Sequence, residues 1–267
     1  MPDAATNRAG APVLECWSSL AALAALTSQI RLGTLVSANT YRHSAVVANA
    51  AATIDQISNG RFILGIGAGW QVNEHDAYGL DLFDVSTRSD RLEQACEVLN
   101  LLLRNERSDF AGTHYTLADA PCDPKPVQQP LPLLVAGKGE RRTMRTAARL
   151  ADEWNGWCTP DEFREKTAVL DAHCEAIGRD PSTIRRSTQA LLFMSDDAAW
   201  LDRHRGPAGS RPQLIGSPAE VLSQVGDYAD AGVDELVIPD WTMGSLTRAK
   251  DTCDQFITEV ASSFRAD

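Results

Sequence analysis

Two short stretches carry residue types that can do chemistry at the backbone. The first is "LGIGAGWQVNE", where Gly65, Gly67 and Gly69 alternate at the end of an apolar run and give way to Trp70 and a polar cluster. Glycines at this spacing free the backbone and remove side-chain bulk, which lets something approach it closely. The plain alternative is a glycine-rich turn with no ligand. The second stretch is "LVAGKGERRT", where an apolar run ends in Gly137 and Gly139 and a helix is expected at once. Free N–H groups and the dipole at a helix start bind anions, and Lys138, Arg141, Arg142 and the Thr143 hydroxyl would add to such a site. The reading is a phosphate site; the alternative is a tight turn before a basic, solvated helix face. A third stretch, "GTLVSANTYRHS", runs a buried strand into polar residues that alone reads as an ordinary strand end.

The remaining candidates are weaker. His75 lies in "NEHDAYG" beside Glu74 and Asp76, without metal-ligand spacing, and no metal site is read. His43 follows Arg42 at a helix start and reads as a cap, while His114 and His173 read as surface or loop residues. Trp154 and Trp157 alternate with Asn155 and suit a core or a ligand platform equally. The six cysteines are far apart with no CxxC pair, so they read as reduced, mostly packed and not catalytic. The run of glycines at 65–69 superficially matches a dinucleotide fingerprint. A third glycine is missing, however, and "WQVNEHD" does not read as a helix start, which argues against a Rossmann site.

These stretches must be positioned by something, and the pattern is short apolar strands alternating with amphipathic helices. Six strands are predicted, near 31–37, 61–67, 131–136, 153–157, 186–194 and 234–239. Helices are predicted from "ECWSSLAALAALTS", from "SAVVANAAATIDQIS" with Val46, Val47, Ala50, Ile54 and Ile57 at helical spacing, and from "TRSDRLEQACEVLNLLLRN" with Leu92, Ala95, Leu99, Leu102 and Leu103 inward. Others follow at "ERRTMRTAARLA", after Thr159-Pro160-Asp161-Glu162 and Ser217-Pro218-Ala219-Glu220, and over about 245–263. Both four-residue signatures are capping boxes with Pro at the first helical position. "FAGTHYTL" suggests a small hairpin, and "HRGPAGSRPQLIG" reads as a loop. Alternating strands and helices imply a parallel sheet covered on both faces. A TIM barrel needs eight strands and a doubly wound sheet tolerates six, so counting favours neither.

Composition bounds the partners. The chain has 267 residues, 43% of them hydrophobic, enough for one large core, and it reads as a single domain over 1–267. Its net charge of -11, with no compensating basic run, disfavours nucleic acid and anionic membranes and leaves a small-molecule substrate. The start "MPDAATNRAGAPV" lacks a signal-peptide core, and a cytoplasmic location is expected.

The three strand ends, in this order, resemble the bacterial luciferase-like superfamily from about residue 15 to 260. "SQIRLGTLVSANTYRHSAVVANAAATIDQISNGRFILGIGAGWQVNEHDAYG" is similar to its core signature, and "HYTLADAPCDPKPVQQPLPLLVAGKGERRTMRTAARLADEWN" to a second one. The longer pattern resembles the branch of coenzyme F420-dependent oxidoreductases. The resemblance implies an α/β TIM barrel that binds F420, or alternatively FMN, and carries out hydride transfer or monooxygenation on a small organic substrate. It also implies a homodimer. Carried over, Leu35-Val36 matches a non-proline cis peptide against the tricyclic ring, with Ser37 next to it. Ala68, Gly69 and Asn73 match cofactor contacts, and Gly137, Lys138, Gly139 and Glu140 match the phosphate-side loop. On this reading the glycines of "GIGAG" let the ring lie close to the backbone.

The chain also departs from that pattern. A longer leader normally precedes the segment matching "ECWSSLAALAALTS", and here 14 residues do. The six strands then correspond to strands 3 to 8 of an incomplete, N-terminally shortened barrel. A family proton donor on strand 2 has no counterpart, and another general acid falls at Trp70, so no catalytic acid or base is assigned. A chain so shortened is expected to be a poor enzyme. The competing reading is a non-catalytic cofactor-binding or structural paralogue. Substrate choice is expected to come from loops at about 68–90, 105–130 and 202–216.

Overall fold

The computed structural model describes residues 13–206 and 211–264. The expectations for the first 12 residues, and for 207–210 within the 204–216 loop, lie outside the described residues. In chain order the elements begin with α1 (Cys16–Leu26), β1 (Leu32–Gly33), β2 (Ser37–Ala38), α2 (Ser44–Ser58) and β3 (Phe62–Gly67). They continue with α3 (Val72–Tyr78), α4 (Val85–Arg104), β4 (Ser108–Ala111), β5 (Thr116–Ala120), β6 (Leu133–Ala136), α5 (Thr143–Leu150) and β7 (Glu153–Gly156). The rest are α6 (Pro160–Glu175), β8 (Arg185–Gln189), β9 (Leu191–Met194), α7 (Ala198–His204), β10 (Gln213–Gly216), α8 (Pro218–Asp230), β11 (Glu235–Val237) and α9 (Leu246–Glu259).

The chain divides into two compact units. The first runs to Trp154 and takes in Ala172–Ile184; the second holds Asn155–Asp171 and continues from Arg185. In the first unit the strand order is β1-β3-β6-β7, with β2 also on β3. β1, β2 and β6 all run parallel to β3. In the second unit β8 lies between β7 and β11, and β11 runs parallel to β8. Within each unit the order follows the chain with no reversal. A doubly wound sheet would show a switch point; sequential addition of strands is the order of a barrel.

Local chemistry sets these elements. α2 stops where the chain turns left-handed at Asn59 (φ 54°), a conformation Asn tolerates. Its buried stripe is Val47, Ala48, Ala51, Ile54 and Asp55, whereas Val46 and Ile57 of the expected apolar set are exposed. Asp55 belongs inside because its carboxylate accepts from the Phe62 N–H (3.3 Å), the Gln128 N–H (3.0 Å) and Gln128 Nε2 (2.7 Å). The C-terminal carbonyls of α1 have no partners within the helix. The Arg61 guanidinium caps this end, donating to the Ala24 carbonyl (2.9 Å), the Thr27 carbonyl (2.7 Å) and the Ile30 carbonyl just beyond (2.6 Å). The core of the first unit includes Phe62, Leu64 and Ile66 of β3 and Leu92, Ala95, Leu99 and Leu102 of α4, all buried. Burial of each large apolar side chain contributes about 1.5–3 kcal/mol.

Several elements differ from expectation: the strand expected at 31–37 is two short strands, β1 and β2, and the helix α7 was not expected. The predicted strand at 186–194 breaks at Ala190, whose N–H donates to the Val237 carbonyl (3.1 Å). The apolar run Leu191–Met194 then pairs in parallel with β10, a strand within the segment read as a loop. Leu192 and Met194 share a buried cluster with Leu214, Val221, Val225 and Tyr228, and Phe193 packs against the Trp200 and His204 rings. "QLIG", four residues between Pro212 and a capping Ser217, is too short to show a strand period. Finally, "VNEHDAY" is a helix. It has no apolar stripe; His75 is its single buried residue, and it closes at Gly79 (φ 64°). The hairpin at 108–120 and both capping boxes form as expected.

Candidate functional site

The candidate residues of the first unit gather at the C-terminal ends of three neighbouring strands. β2 pairs Ser37 with Ile66 and Ala38 with Gly67, and β3 pairs Gly65 with Leu134 and Ile66 with Val135. The chain segments leaving β2, β3 and β6 therefore emerge side by side. The Leu35-Val36 peptide is cis, as the resemblance implies. Leu35 is 41% and Val36 36% exposed, an apolar pair left open at a strand end.

The glycines of β3 face this segment of the chain itself. A Cβ on Gly65 would lie 1.9 Å from the Thr34 carbonyl oxygen, and one on Gly67 would lie 2.8 Å from Val36 Cγ2. Gly69 has φ +81° and abuts Thr40 Oγ1. These glycines thus admit the 34–40 segment of the chain itself. The Thr34 hydroxyl seals the junction, donating to the Gly65 carbonyl (2.7 Å) and accepting from the Gly65 N–H (2.9 Å).

Beyond Gly69 the chain enters α3, where Asn73 is exposed. His75 is 2% exposed. Its Nδ1 lies 2.7 Å from the Gln71 carbonyl and its Nε2 2.7 Å from Thr40 Oγ1. A carbonyl only accepts, so Nδ1 carries a proton and donates to it, while Nε2 pairs with the Thr40 hydroxyl. Tyr41 donates a short hydrogen bond to Glu74, and burial pushes its phenol up from the ordinary tyrosine range. His43 caps α2 by accepting from the Ala45 N–H (3.2 Å), as its place in the sequence suggested.

The Gly137–Arg142 turn is built differently. Trp154, fully buried, donates from Nε1 to the Gly137 carbonyl (3.0 Å). His173 Nε2 meets the Glu140 carbonyl (2.7 Å). Arg142 pairs with Asp90 and donates to the Ser86 carbonyl (3.1 Å) and hydroxyl (2.8 Å). That assigns Arg142 to anchoring rather than to the phosphate site proposed for it. The helix begins at Thr143, four residues after Gly139, so the turn is longer than expected. Lys138, Gly139, Glu140 and Arg141 remain exposed. Trp154, His173 and Arg142 thus anchor the turn, and its residues 138–141 stay on the surface.

Trp154 is core. In the second unit, Trp157 stacks on Trp241 (6.0 Å) with the Arg211 guanidinium beside both rings. Asn155 Nδ2 donates to the Ser187 hydroxyl (2.9 Å) and Asn155 Oδ1 accepts from Gln189 Nε2 (2.9 Å), a buried ladder that no sequence period announced. Cys96, Cys122, Cys158 and Cys174 are buried, and burial pushes the Cys96 thiol up. Among the described residues no group of three or more His, Cys, Asp or Glu side chains is placed to hold a metal ion. No described helix is long and apolar enough to cross a membrane.

With this geometry in hand, comparison with known proteins places the chain. Residues 1–208 match the family model of luciferase-like monooxygenases, and the chain belongs to that family. It is 32% identical to the pyrimidine monooxygenase RutA of Cronobacter sakazakii, over 93% of this chain and 76% of that protein. It is 30% identical to the F420-dependent hydroxymycolic acid dehydrogenase of Mycobacterium tuberculosis, over 86% of this chain and 62% of that protein. Among solved structures, a riboflavin lyase with modified FMN aligns with a TM-score of 0.77 at 16% identity, covering 96% of this chain and 74% of that one. The fold is thus α/β, an incomplete TIM barrel of the luciferase-like type. The relatives are monooxygenases and an F420-dependent dehydrogenase, which sets aside the non-catalytic paralogue.

Proposed function

We propose that the chain binds coenzyme F420, or alternatively FMN, at the ends of β2, β3 and β6, and uses it to oxidise or reduce a small organic substrate. The observation that carries this reading is the open apolar pair Leu35 and Val36, of which Val36 is seated against Gly65 and Gly67. An exposed apolar floor needs a flat, apolar cover, and a tricyclic ring supplies one. Leu35, Val36 and Ser37 would meet one face of the ring, with Ala68, Gly69 and Asn73 at its edge. The buried Gln71 Nε2, which has no protein partner, sits in the same turn and supplies a donor suited to a polar ring edge. Gly137, Lys138, Gly139 and Glu140 would hold the cofactor phosphate by backbone N–H groups and the Lys138 charge.

When bound, such a cofactor supplies the hydride chemistry or, for a flavin, the reaction with oxygen. The protein's part is to orient the ring, exclude water from its covered face and handle protons. His43 is committed to a helix cap, and both His75 nitrogens are engaged. The Tyr41–Glu74 pair is what this strand end offers for proton transfer. A homodimer in solution and a substrate chosen by the loops at 68–90 and 105–130 complete the proposal.

Titration of the full chain with F420 and with FMN, followed by quenching of cofactor fluorescence, tests it. Saturable one-to-one binding of either is expected. Absence of saturable binding to both would overturn the reading.

A further inference from the structure

Two tryptophans of the second unit meet at the C-terminal ends of strands. Trp157 directly follows β7, and Trp241 lies in a single helical turn, Asp240–Thr242, shortly after β11. β8 runs between those two strands. Its register sets Val237 beside Gln189, and Gln189 reaches Asn155 through its side chain (2.9 Å). Asn155, Gln189 and Val237 therefore share one face of the sheet. Beyond the strand ends the two indole rings stack, with centroids 6.0 Å apart and planes 30° apart. That is the offset arrangement aromatic pairs prefer.

The pair is fixed in place. The Arg211 guanidinium lies 5.3 Å from the Trp157 ring centroid and 5.2 Å from that of Trp241, a cation–π clasp on both. The turn that carries Trp241 is tied down on either side of its ring. The Thr242 hydroxyl donates to the Leu192 carbonyl (2.8 Å), and Met243 is buried in the cluster with Leu192 and Leu214. Even so, Trp241 is 54% exposed and Trp157 only half-buried. Trp200 shows the ordinary alternative, an indole covered by its neighbours: His204 stacks on it at 4.0 Å and Arg248 lies over it at 4.5 Å. An indole held from behind and open in front, at the strand ends where barrels bind their ligands, has the chemistry of a stacking platform.

We propose that Trp241, backed by Trp157, is the stacking platform for a planar aromatic ring of a small-molecule ligand. The binding claim stands on these residues alone. Taking that ligand to be the substrate rests on the function proposed above.

The experiment follows the indole Nε1–H signals of the full chain by NMR during titration with naphthol and with decahydronaphthol, which share a skeleton but differ in flatness. Trp157→Phe and Trp241→Phe assign the two signals. Naphthol is expected to shift both saturably, and decahydronaphthol to bind more weakly by roughly fivefold or more. Trp241→Leu should weaken naphthol to a similar degree, with the Trp157 signal as readout. No saturable shift at either signal overturns the proposal. So does equal affinity for the flat and the puckered compound, or naphthol affinity undiminished in Trp241→Leu. Should Trp241→Leu fail to fold, as read by circular dichroism, the comparison of the two compounds in wild type carries the test. Titration of Trp241→Leu with F420 and FMN keeps the two readings apart. Cofactor affinity lost together with naphthol binding would return the pair to the cofactor site and overturn the proposal. Cofactor affinity kept, with naphthol binding lost, supports a separate ring subsite. Absence of cofactor binding in the wild type, with naphthol bound, would overturn the earlier reading alone.

Discussion

The strand end at Gly65–Gly69 and the turn at Gly137–Gly139 lie beyond neighbouring parallel strands, yet a methyl group added to each would meet different things. At Gly65 it would strike the Thr34 backbone oxygen at 1.9 Å, and at Gly67 the Val36 side chain at 2.8 Å. At Gly137 and Gly139 the nearest atoms belong to the Thr143 side chain, at 3.1 and 3.0 Å. The first set of glycines accommodates the protein's own chain; the second leaves an open, anchored turn. A glycine run in a sequence therefore reports close approach and not the identity of what approaches. On the reading proposed above, the ligand surface at the first strand end is made by the segment the glycines admit, Leu35 and Val36, rather than by the glycines.

This contrast breaks most visibly under substitution. Gly65→Ala places a Cβ against backbone that cannot move aside without displacing β1 and β2. Overpacking typically costs about 1–3 kcal/mol, and we expect Gly65→Ala to reach or exceed the top of that range in urea unfolding. Gly139→Ala, facing one hydroxyl on a side chain, is expected to cost less than about 1 kcal/mol. Equal losses at the two sites would erase the distinction drawn here.

Trp154→Phe sharpens the second half of the comparison. It keeps the ring in the core and removes the N–H that holds the Gly137 carbonyl, and leaving a buried acceptor unmet costs about 1–3 kcal/mol. Stability should fall by that amount, and cofactor affinity should fall with it because the turn loses an anchor. A stability loss with affinity unchanged would detach the turn from the site.

The smallest effect concerns acid. Asp84 caps α4, the helix that anchors Arg142. Hydrogen bonds from the Thr87 N–H, and then from its hydroxyl, hold the Asp84 carboxyl below its ordinary value of 3.8. A depressed folded-state pKa means that the contribution is fully present above the unfolded value and is lost as pH falls through the folded one. The advantage of wild type over Asp84→Asn in thermal midpoint should therefore be constant from pH 7 to about pH 5 and shrink below about pH 4. A constant difference down to pH 2 would contradict the assignment.

Much of this was legible in the sequence because the strands and helices follow from apolar period and capping chemistry. The inward face of α4 and the two capping boxes were visible residue by residue. The turn at Gly137–Glu140 was legible as the break between β6 and α5, although the helix begins later than its sequence suggests. What was not legible depends on distant partners. Asp55 is buried because Gln128, far along the chain, satisfies it. Arg142 anchors rather than binds because Ser86 and Asp90 stand opposite. β10 exists because Leu191–Met194 needs a neighbour. α3 has too little apolar surface to show a period, and its hydrogen bonds through His75 define it instead.

The central claim is that the Gly137–Glu140 turn holds the phosphate of a cofactor whose ring lies on Leu35 and Val36. Its most direct test compares ligands that differ by that phosphate: F420 against its phosphate-free deazaflavin chromophore, and FMN against riboflavin. Each is titrated by fluorescence quenching into wild type and Lys138→Glu. A charge-assisted hydrogen bond contributes about 1.5–3 kcal/mol, so the phosphorylated member of the bound pair should bind wild type roughly tenfold or more tighter. Lys138→Glu should remove most of that preference and leave the affinity for the phosphate-free member unchanged. Equal affinity of wild type for both members of each pair, or a preference undiminished in Lys138→Glu, would contradict the account.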